Sequence, residues 1–239
     1  MFDGRRGMSA KTAQYTRRPL AAPLRPAVRR FLPSALVALM SLMIACDAMA
    51  QSDATGGAAA RVEVSLDGEI YSVRASAQLA ADQRVVWETL TDYERLREFI
   101  PGVTRARVLA RTGNQLSIEQ VGVFSVLFID LPVRVRLAVQ HLPYTMVLAR
   151  MDASPLDAGE PTLRSFSGRY TLSVVRLAQR AGVRLDYDAQ FELTRPLPVV
   201  IGPLFGVAAV RGTMRAQFEA MLREIERRQA LLVAAEQAE

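Results

Sequence analysis

The sequence of 239 residues contains one cysteine, one histidine and one tryptophan. Since the cysteine, Cys46, lies near the N-terminus, the body of the chain cannot form a disulfide. A zinc site of the usual nitrogen and sulfur type needs several His or Cys residues. A Ser-His-Asp triad would depend on His141, and no Gly-x-Ser-x-Gly surrounds a serine. We therefore expect no disulfide scaffold, no metal and no serine hydrolase.

Nucleotide-binding motifs of the Gly-x-Gly-x-x-Gly and P-loop types are also missing. The net charge of +6 suggests nucleic-acid binding until it is divided by region. Eight of the basic residues but only two of the acidic ones lie within residues 1–50, so acids and bases balance from residue 51 onward. A neutral body has no general field to hold a phosphate backbone. We expect neither a nucleotide cofactor nor a nucleic-acid partner.

Residues 1–50 have the three parts of a secretory signal peptide. An uncharged apolar run over residues 31–45 follows Arg29 and Arg30, and Ala48-Met49-Ala50 forms a small-x-small cleavage site. The run of about 15 residues is shorter than the roughly 20 that a membrane-spanning helix needs. We expect cleavage near Ala50 and a periplasmic or secreted mature protein.

A second processing route stays open at Cys46. Met43-Ile44-Ala45-Cys46 resembles a bacterial lipobox, although Met43 stands where such boxes usually have leucine. Cleavage before Cys46 would give a lipid-anchored protein, whereas cleavage after Ala50 gives a soluble one. The Ala-x-Ala site is the better match.

The mature chain is predicted to form one domain with short flanks. Residues 51–60 are rich in Gly, Ala and Ser, which is typical of a flexible spacer. Residues 61–230 carry the strand and helix periodicities, and residues 231–239 form a C-terminal tail rich in Ala, Gln and Glu. Since half of all residues are apolar, the domain can bury a real core.

Strict alternation of apolar and polar residues predicts antiparallel strands. Val62, Val64 and Leu66 alternate with polar residues, Asp67-Gly68 is a strong hairpin signal, and a second alternating strand covers residues 71–79. Further strands are expected over residues 103–111, 115–129, 131–141 (with an extension to 152 left open), 164–177 and 182–194.

Two regions have helical spacing instead. Asp82 can cap a helix, and apolar residues recur from Val86 until Pro101-Gly102, which predicts two short helices broken near Asp92. A final helix with one apolar stripe is expected over residues 203–230. This order predicts an α+β domain in which a curved antiparallel sheet wraps a long C-terminal helix, with two short helices after the first strands.

The segment from Val86 to Gly102, VWETLTDYERLREFIPG, resembles the opening helix pair of the START-like (SRPBCC) superfamily. The nearest branch is the polyketide cyclase/dehydrase and coenzyme-Q-binding group. Phe166-Ser167-Gly168-Arg169-Tyr170 is similar to a later strand of that group, with Tyr170 where tryptophan is common. The resemblance extends from about Tyr71 to Arg228. It implies a helix-grip fold with a cavity for an apolar ligand between sheet and helix.

The resemblance also implies a binding protein or carrier for a hydrophobic ligand such as a quinone, an isoprenoid or another lipid. Fold does not fix function, so two alternatives stay open: a cyclase/dehydratase-type enzyme with a hydrophobic substrate, and a protein-interaction module with a filled core. We expect the ligand to contact aromatic and methionine side chains on the short helices, the sheet and the last helix, namely Trp87, Phe99, Tyr170, Tyr187, Phe205, Met214 and Phe218.

No catalytic residue is assigned from the sequence. Glu119 and Tyr170 lie on strands that can line the cavity, and a carboxylate there could act as a base if its pKa were raised. A single glutamate on an edge face is the simpler interpretation, so the enzyme hypothesis rests on these two residues alone.

The strand segment 121–129 is apolar on both faces, unlike the other strands. Its second face can contact a membrane surface, the N-terminal hairpin or a dimer partner, and these interpretations stay open. Arg134 and Arg136 on the next strand can meet lipid phosphates, although a solvated face is the simpler interpretation.

Overall fold

The computed structural model describes residues 58–126, 129–152, 162–178, 180–195 and 202–238. The predicted signal peptide, the lipobox and most of the spacer fall within residues 1–57, and residues 127–128 belong to the apolar segment. These parts lie outside the described residues, so the corresponding predictions stay predictions.

The described chain begins with the hairpin that the alternation predicts. Strand β1 (Arg61–Asp67) pairs with strand β2 (Ile70–Leu79) in antiparallel register, with Asp67 opposite Ile70. The loop consists of Gly68 and Glu69, and Gly68 has a φ of +59°, which glycine adopts at no steric cost. The inward residues of both strands are buried, as expected: Val62, Val64, Tyr71, Val73, Ala75, Ala77 and Leu79.

Two short helices follow the hairpin and break near Asp92, which confirms the predicted interruption. They are helix α1 (Gln83–Leu90) and helix α2 (Leu96–Phe99), separated by a 3-10 turn over Tyr93–Arg95. Asp82 precedes α1, but its carboxylate makes no capping hydrogen bond. It instead accepts a hydrogen bond from Nε2 of Gln229 on the last helix at 3.3 Å, so the predicted side-chain cap is wrong.

Among the described residues, six further strands complete the sheet, one more than the five that the sequence predicts. Residues 131–152 contain two strands because Pro143 cannot donate to a strand ladder and Tyr144 takes a positive φ of 61°. The amide of Thr145 closes this turn on the carbonyl of Leu142 at 3.0 Å. The strands are β3 (Val103–Thr112), β4 (Gln115–Val126), β5 (Ile129–Leu142), β6 (Met146–Met151), β7 (Leu163–Leu177) and β8 (Arg180–Leu193).

The eight strands form one antiparallel sheet in the order β1-β2-β8-β7-β6-β5-β4-β3. The N-terminal hairpin is therefore joined to the last strand, with Ile70 opposite Glu192 and Leu79 opposite Val183. Strands β1 and β3 are the two edges of the sheet.

Helix α3 (Gly202–Glu236) lies against the sheet, which confirms the α+β helix-grip fold. Its inward stripe is buried, with Val210, Phe218, Leu222 and Ile225 at most 4% exposed. The helix continues to residue 236, beyond the predicted end at 230, and its last two turns are exposed.

A group of charged residues fixes α3 to the short helices. Arg228 donates through Nη2 to Asp92 at 2.8 Å and through Nε to Glu224 at 2.7 Å, and its guanidinium lies 5.7 Å from the centre of the Phe99 ring. The hydrogen bond from Arg227, despite the opposing effect of burial, lowers the pKa of Glu224 to about 2, with Arg228 adding to the shift. These side chains hold the short helices in position beside α3.

Two glycines allow the end of the short-helix segment to cross β4 closely. The amide of Val123 donates to the carbonyl of Gly102 at 2.7 Å. A Cβ on Gly102 would lie 2.5 Å from the carbonyl oxygen of Val123, and one on Gly122 would collide with the Gly102 carbonyl. Only glycine fits at either position, because backbone atoms cannot move aside as a flexible side chain can.

Candidate functional site

A cavity of about 280 Å³ lies between the sheet and helix α3. Alternate residues of a strand point to the same face, so β4 and β5 supply one wall from a single set of inward side chains. Helix α3 supplies the opposite wall. The side chains of these two walls include Ile118, Gln120, Phe124, Val133, Val135, Leu137 and Val139 from the strands, and Met214, Gln217, Phe218 and Met221 from the helix.

The cavity has a deep end and a shallow end. At the deep end, the lining residues Leu90, Tyr93, Val139 and Val147 are buried beneath helix α1 and the middle of the sheet. At the shallow end, β4, β5, β7 and β8 terminate together, and the lining residues there are mostly half-buried: Phe124, Leu131, Thr162, Leu163 and Gln217. A ligand would therefore be held with one end covered and the other near the surface.

Two tyrosines from neighbouring strands form the main polar feature of the wall. The rings of Tyr170 on β7 and Tyr187 on β8 stack, with centroids 4.4 Å apart and planes at 27°. Burial raises the pKa of both phenols, so both stay protonated at neutral pH. Within the described part of the chain neither phenol oxygen forms a hydrogen bond, so both are available to a ligand.

A third phenol, that of Tyr93, is hydrogen-bonded at the deep end of the cavity. Its oxygen lies 2.7 Å from Nε2 of His141, and the two rings stack with centroids 5.8 Å apart. The ring of Trp87 meets His141 edge-on at 5.2 Å. Burial, and then the charge of Arg111, lower the pKa of His141. His141 is therefore neutral at pH 7.

Four of the seven residues predicted to contact the ligand line this cavity. Tyr170 and Tyr187 do so from the sheet, and Met214 and Phe218 do so from α3. The sequence places all four facing inward: the two tyrosines by the alternation of their strands, and the other two by the apolar stripe of the helix. That they bind a ligand stays a prediction.

The structure places the other three predicted residues away from the cavity. Trp87 is 9% exposed but packs against His141. Phe99 lies beneath the guanidinium of Arg228. Phe205, near the start of α3, is 66% exposed, because the helix face that carries it points away from the sheet.

Glu119, the carboxylate considered as a base, points to the outer face of the sheet. Its neighbours Ile118 and Gln120 line the cavity, so strand alternation puts Glu119 on the opposite side. Its Oε2 accepts hydrogen bonds from Nε of Arg107 at 2.8 Å and from Nη2 of Arg105 at 3.1 Å. The strand of Glu119 lines the cavity, but the hypothesis that Glu119 itself acts there as a base is wrong, because its carboxylate pairs with two arginines on the outer face.

Three polar cavity residues were not identified from the sequence. Gln217 donates from Nε2 to the carbonyl of Pro101 at 3.0 Å, and Thr162 donates to the carbonyl of Pro132 at 2.6 Å. Gln120 interrupts an otherwise apolar set of inward residues on β4. That break in the alternation is the signal that could have identified Gln120.

Other kinds of site can be assessed over the same residues. In the part of the chain that the structure describes, no group of three or more His, Cys, Asp or Glu side chains is placed to hold a metal ion. No helix of that part has both the length and the apolarity needed to cross a membrane.

Comparisons with solved structures find the same fold at low sequence identity. The STAR-related lipid transfer protein from Xanthomonas axonopodis is 18% identical, with a TM-score of 0.52 over 73% of this chain and 97% of that one. The Zhui aromatase/cyclase from Streptomyces sp. R1128 is 19% identical, with a TM-score of 0.50 over 66% and 95%. The protein TTHA0849 from Thermus thermophilus is 20% identical, with a TM-score of 0.50 over 67% and 98%.

Sequence comparison identifies the family. A search of curated proteins finds no match. The profile of the family described as polyketide cyclase / dehydrase and lipid transport matches residues 79–219, which is more than half of the chain and covers the short helices, strands β3 to β8 and the first half of α3. The chain therefore belongs to the polyketide cyclase/dehydrase and lipid transport family.

Proposed function

We propose that this protein binds or carries a hydrophobic molecule that has a single polar group, held in the cavity between the sheet and α3. Family membership supports either a hydrophobic-ligand binder or a cyclase/dehydrase. The observation that favours the binder is the chemistry of the wall, in which the only polar side-chain groups among the apolar ones are phenols, amides and a hydroxyl. Such a wall stabilises a ligand by about 25 cal/mol for each Å² of apolar surface buried.

The volume of the cavity limits the ligand. At about 280 Å³ it lies just below the range of roughly 300–1,000 Å³ that small-molecule sites usually have. A single acyl chain, a short isoprenoid or a small ring fits this space. A quinone with a long polyprenyl tail would have to leave its tail outside, at the shallow end.

The tyrosines orient the ligand in this proposal. A polar group in a dry, apolar site is stable only when it is hydrogen-bonded, so Tyr170 and Tyr187 favour a ligand oxygen close to them. The ligand then lies with its polar end deep and its chain directed toward Phe124 and Leu131 at the shallow end.

The two alternatives from the sequence fit the cavity less well. An interaction module with a filled core would not keep a space of about 280 Å³ beneath its long helix. A cyclase or dehydratase needs a group that accepts a proton from its substrate, but Glu119 points outward and the pKa values of the lining phenols are raised. We assign no catalytic residue.

The cellular setting of the proposal comes from the sequence. We propose that the protein acts after export, as a periplasmic or secreted protein cleaved near Ala50, with anchoring through Cys46 as the second form. The ligand would be loaded from a membrane surface through segment 121–129. Support comes from Gly122, Val123 and Phe124, which line the shallow end of the cavity.

The decisive experiment is native mass spectrometry of the protein isolated from the periplasm, followed by solvent extraction and lipid analysis. We expect a bound apolar molecule at a one-to-one ratio. The proposal would be contradicted if the isolated protein carried no bound molecule and also bound neither a fatty acid nor the neutral probe N-phenyl-1-naphthylamine.

A pair of matched variants locates the binding. Ala149 lines the cavity on β6, whereas Ala138 on the adjacent strand β5 is exposed on the outer face. Ala149→Leu should weaken binding of the naphthylamine probe at least about tenfold, equivalent to about 1.4 kcal/mol, and Ala138→Leu should leave it unchanged. Equal affinities for the two variants would place the ligand elsewhere.

A further inference from the structure

The hydrogen bond between Tyr93 and His141 connects the cavity with the surface of the protein. Tyr93 lines the deep end of the cavity, and its oxygen lies 2.7 Å from Nε2 of His141. His141 also borders a separate depression formed at the β3–β4 and β5–β6 turns, beside Asn114 and Thr145. A ligand-facing phenol is thus in contact with an imidazole that borders a surface depression and can exchange protons with solvent.

The protonation state of His141 decides what Tyr93 can offer to a ligand. In the neutral tautomer that carries its proton on Nδ1, Nε2 of His141 accepts the single phenol proton, so the oxygen of Tyr93 presents only lone pairs to the cavity. When His141 is protonated, both ring nitrogens are donors. Nε2 then donates to Tyr93, and the phenol proton is free to point into the cavity.

We propose that Tyr93 and His141 form a positioning pair that selects the polar group of the ligand. With His141 neutral, the pair accepts a hydrogen bond from a hydroxyl group; with His141 protonated, it donates one to a carbonyl group. The inference rests on the proposed function, because it requires a ligand whose polar end lies deep in the cavity. The preferred ligand at neutral pH is a long-chain alcohol, and ketones or aldehydes gain affinity in acid.

The groups around His141 determine the pH at which it gains its second ring proton. Arg111 on β3 faces it with a positive charge, and Tyr93 faces it from the 3-10 turn. Burial and, less strongly, Tyr170 on β7 raise the pKa of Tyr93. Tyr144 from the β5–β6 turn packs against Trp87, with ring centroids 5.7 Å apart. Burial and Arg111 both disfavour the imidazolium, so the change falls below the ordinary histidine pKa of 6.5.

The presence of a single histidine makes a direct spectroscopic test possible. Every histidine imidazole signal in a ¹⁵N NMR spectrum of this chain comes from His141. Coupling between two binding equilibria is reciprocal, so a ligand that prefers the protonated pair must raise the pKa of His141. We expect saturation with 2-undecanone to raise that pKa and saturation with 1-undecanol to leave it unchanged or lower it. Neither compound titrates in this range.

Displacement of N-phenyl-1-naphthylamine measures the same coupling as affinity. Between pH 7.5 and pH 5 the affinity for 2-undecanone should rise about 2- to 10-fold, as expected for one net hydrogen bond, relative to that for 1-undecanol. Tyr93→Phe should abolish the difference while it keeps the ring. Tyr144→Phe should preserve the pH-dependent difference, because Tyr144 is an exposed tyrosine that contacts Trp87 but forms no part of the Tyr93–His141 pair.

The outcomes separate this inference from the function on which it rests. If the probe and both undecyl compounds bind with no pH-dependent difference, or if Tyr93→Phe keeps the difference, the selection by Tyr93 and His141 is disproved and the binding function stands. If none of the three compounds binds at any pH, the binding function fails, and the inference fails with it.

Discussion

The two halves of helix α3 carry the same apolar stripe but meet different surroundings. In the C-terminal half, Leu222 and Ile225 are at most 2% exposed and belong to the core cluster formed with α1 and strand β2. In and just beyond the N-terminal half, Met214, Phe218 and Met221 face the cavity of about 280 Å³, while Val210 is buried in a second core cluster. The stripe therefore determines which face of a helix points inward, but it does not determine whether the opposing side chains fill the space.

The strands opposite each half account for the difference. Beside the C-terminal half, small and branched residues such as Ala77, Val183 and Leu185 allow close approach and are at most 4% exposed. On the cavity side, strand β3, the edge strand paired with the lining strand β4, has register shifts between Val103 and Arg105 and between Val108 and Ala110. Such irregularities increase the local twist and bend of a sheet, which favours a gap between this part of the sheet and the helix.

The largest expected effect comes from shortening a buried side chain in the C-terminal half of α3, where the neighbouring side chains fill the space. Ile225→Ala should lower the free energy of unfolding by about 2–5 kcal/mol, because it leaves a void in a fully buried site. Met214→Ala should cost about 1 kcal/mol, because this half-buried side chain already adjoins an open space. Urea unfolding of both variants measures the difference, and equal losses would show that the two halves are packed alike.

The next largest effect should come from the ion pairs of Arg228 in the C-terminal half of α3. Arg228→Ala removes the donor to Asp92 and one donor to Glu224, and we expect a loss of about 2 kcal/mol, within the range for hydrogen bonds to charged groups. Arg84→Ala is the matched control: Arg84 forms a solvent-exposed pair with Glu88, so this substitution should lower stability clearly less than Arg228→Ala does. A loss for Arg228→Ala as small as that of the control would mean that packing alone fixes the helix.

The smallest expected effect is a pH dependence of stability that comes from His141, at the deep end of the cavity. The pKa of His141 is lowered in the folded protein, so between that value and 6.5 the unfolded chain binds more protons. Stability from this residue is complete above pH 6.5 and falls as the pH falls. Glu224 adds no pH dependence between pH 7.5 and pH 5, because its contribution to stability is lost only between about pH 4.5 and pH 2. Thermal unfolding from pH 7.5 to 5 should show a decline that is flatter in His141→Gln; identical slopes would contradict it.

The fold was largely predictable because its signals are local. Alternation located the first hairpin, the change of period located the short helices, and one apolar stripe located α3. The turn at Pro143 was harder to place, because the strands on both sides of it alternate in the same way. Residues 231–236 were predicted to be a tail; they are exposed in α3, so no burial pattern marks them, and only helix propensity could have indicated that the helix continues.

The site was less predictable because a cavity depends on what distant elements leave unfilled. Tyr170 and Tyr187 follow from strand parity, but the exposed position of Phe205 depends on how the start of α3 is oriented. The contact between Tyr93 and His141 joins residues 48 positions apart, and no local pattern links them. Aromatic character alone cannot separate a core residue such as Trp87 from a cavity residue.

The pairing of β2 with β8 has a consequence for how the chain folds. The hairpin β1–β2 consists of local contacts and can form soon after it is synthesised. Its second edge, however, pairs with residues 183–192, so it stays unpaired until almost the whole domain has been made. Contacts of such long sequence separation slow folding, and an unpaired strand edge is a template for aggregation. A chain truncated before β8 would therefore expose the edge of β2, so aggregation should be most severe in fragments that end before residue 180.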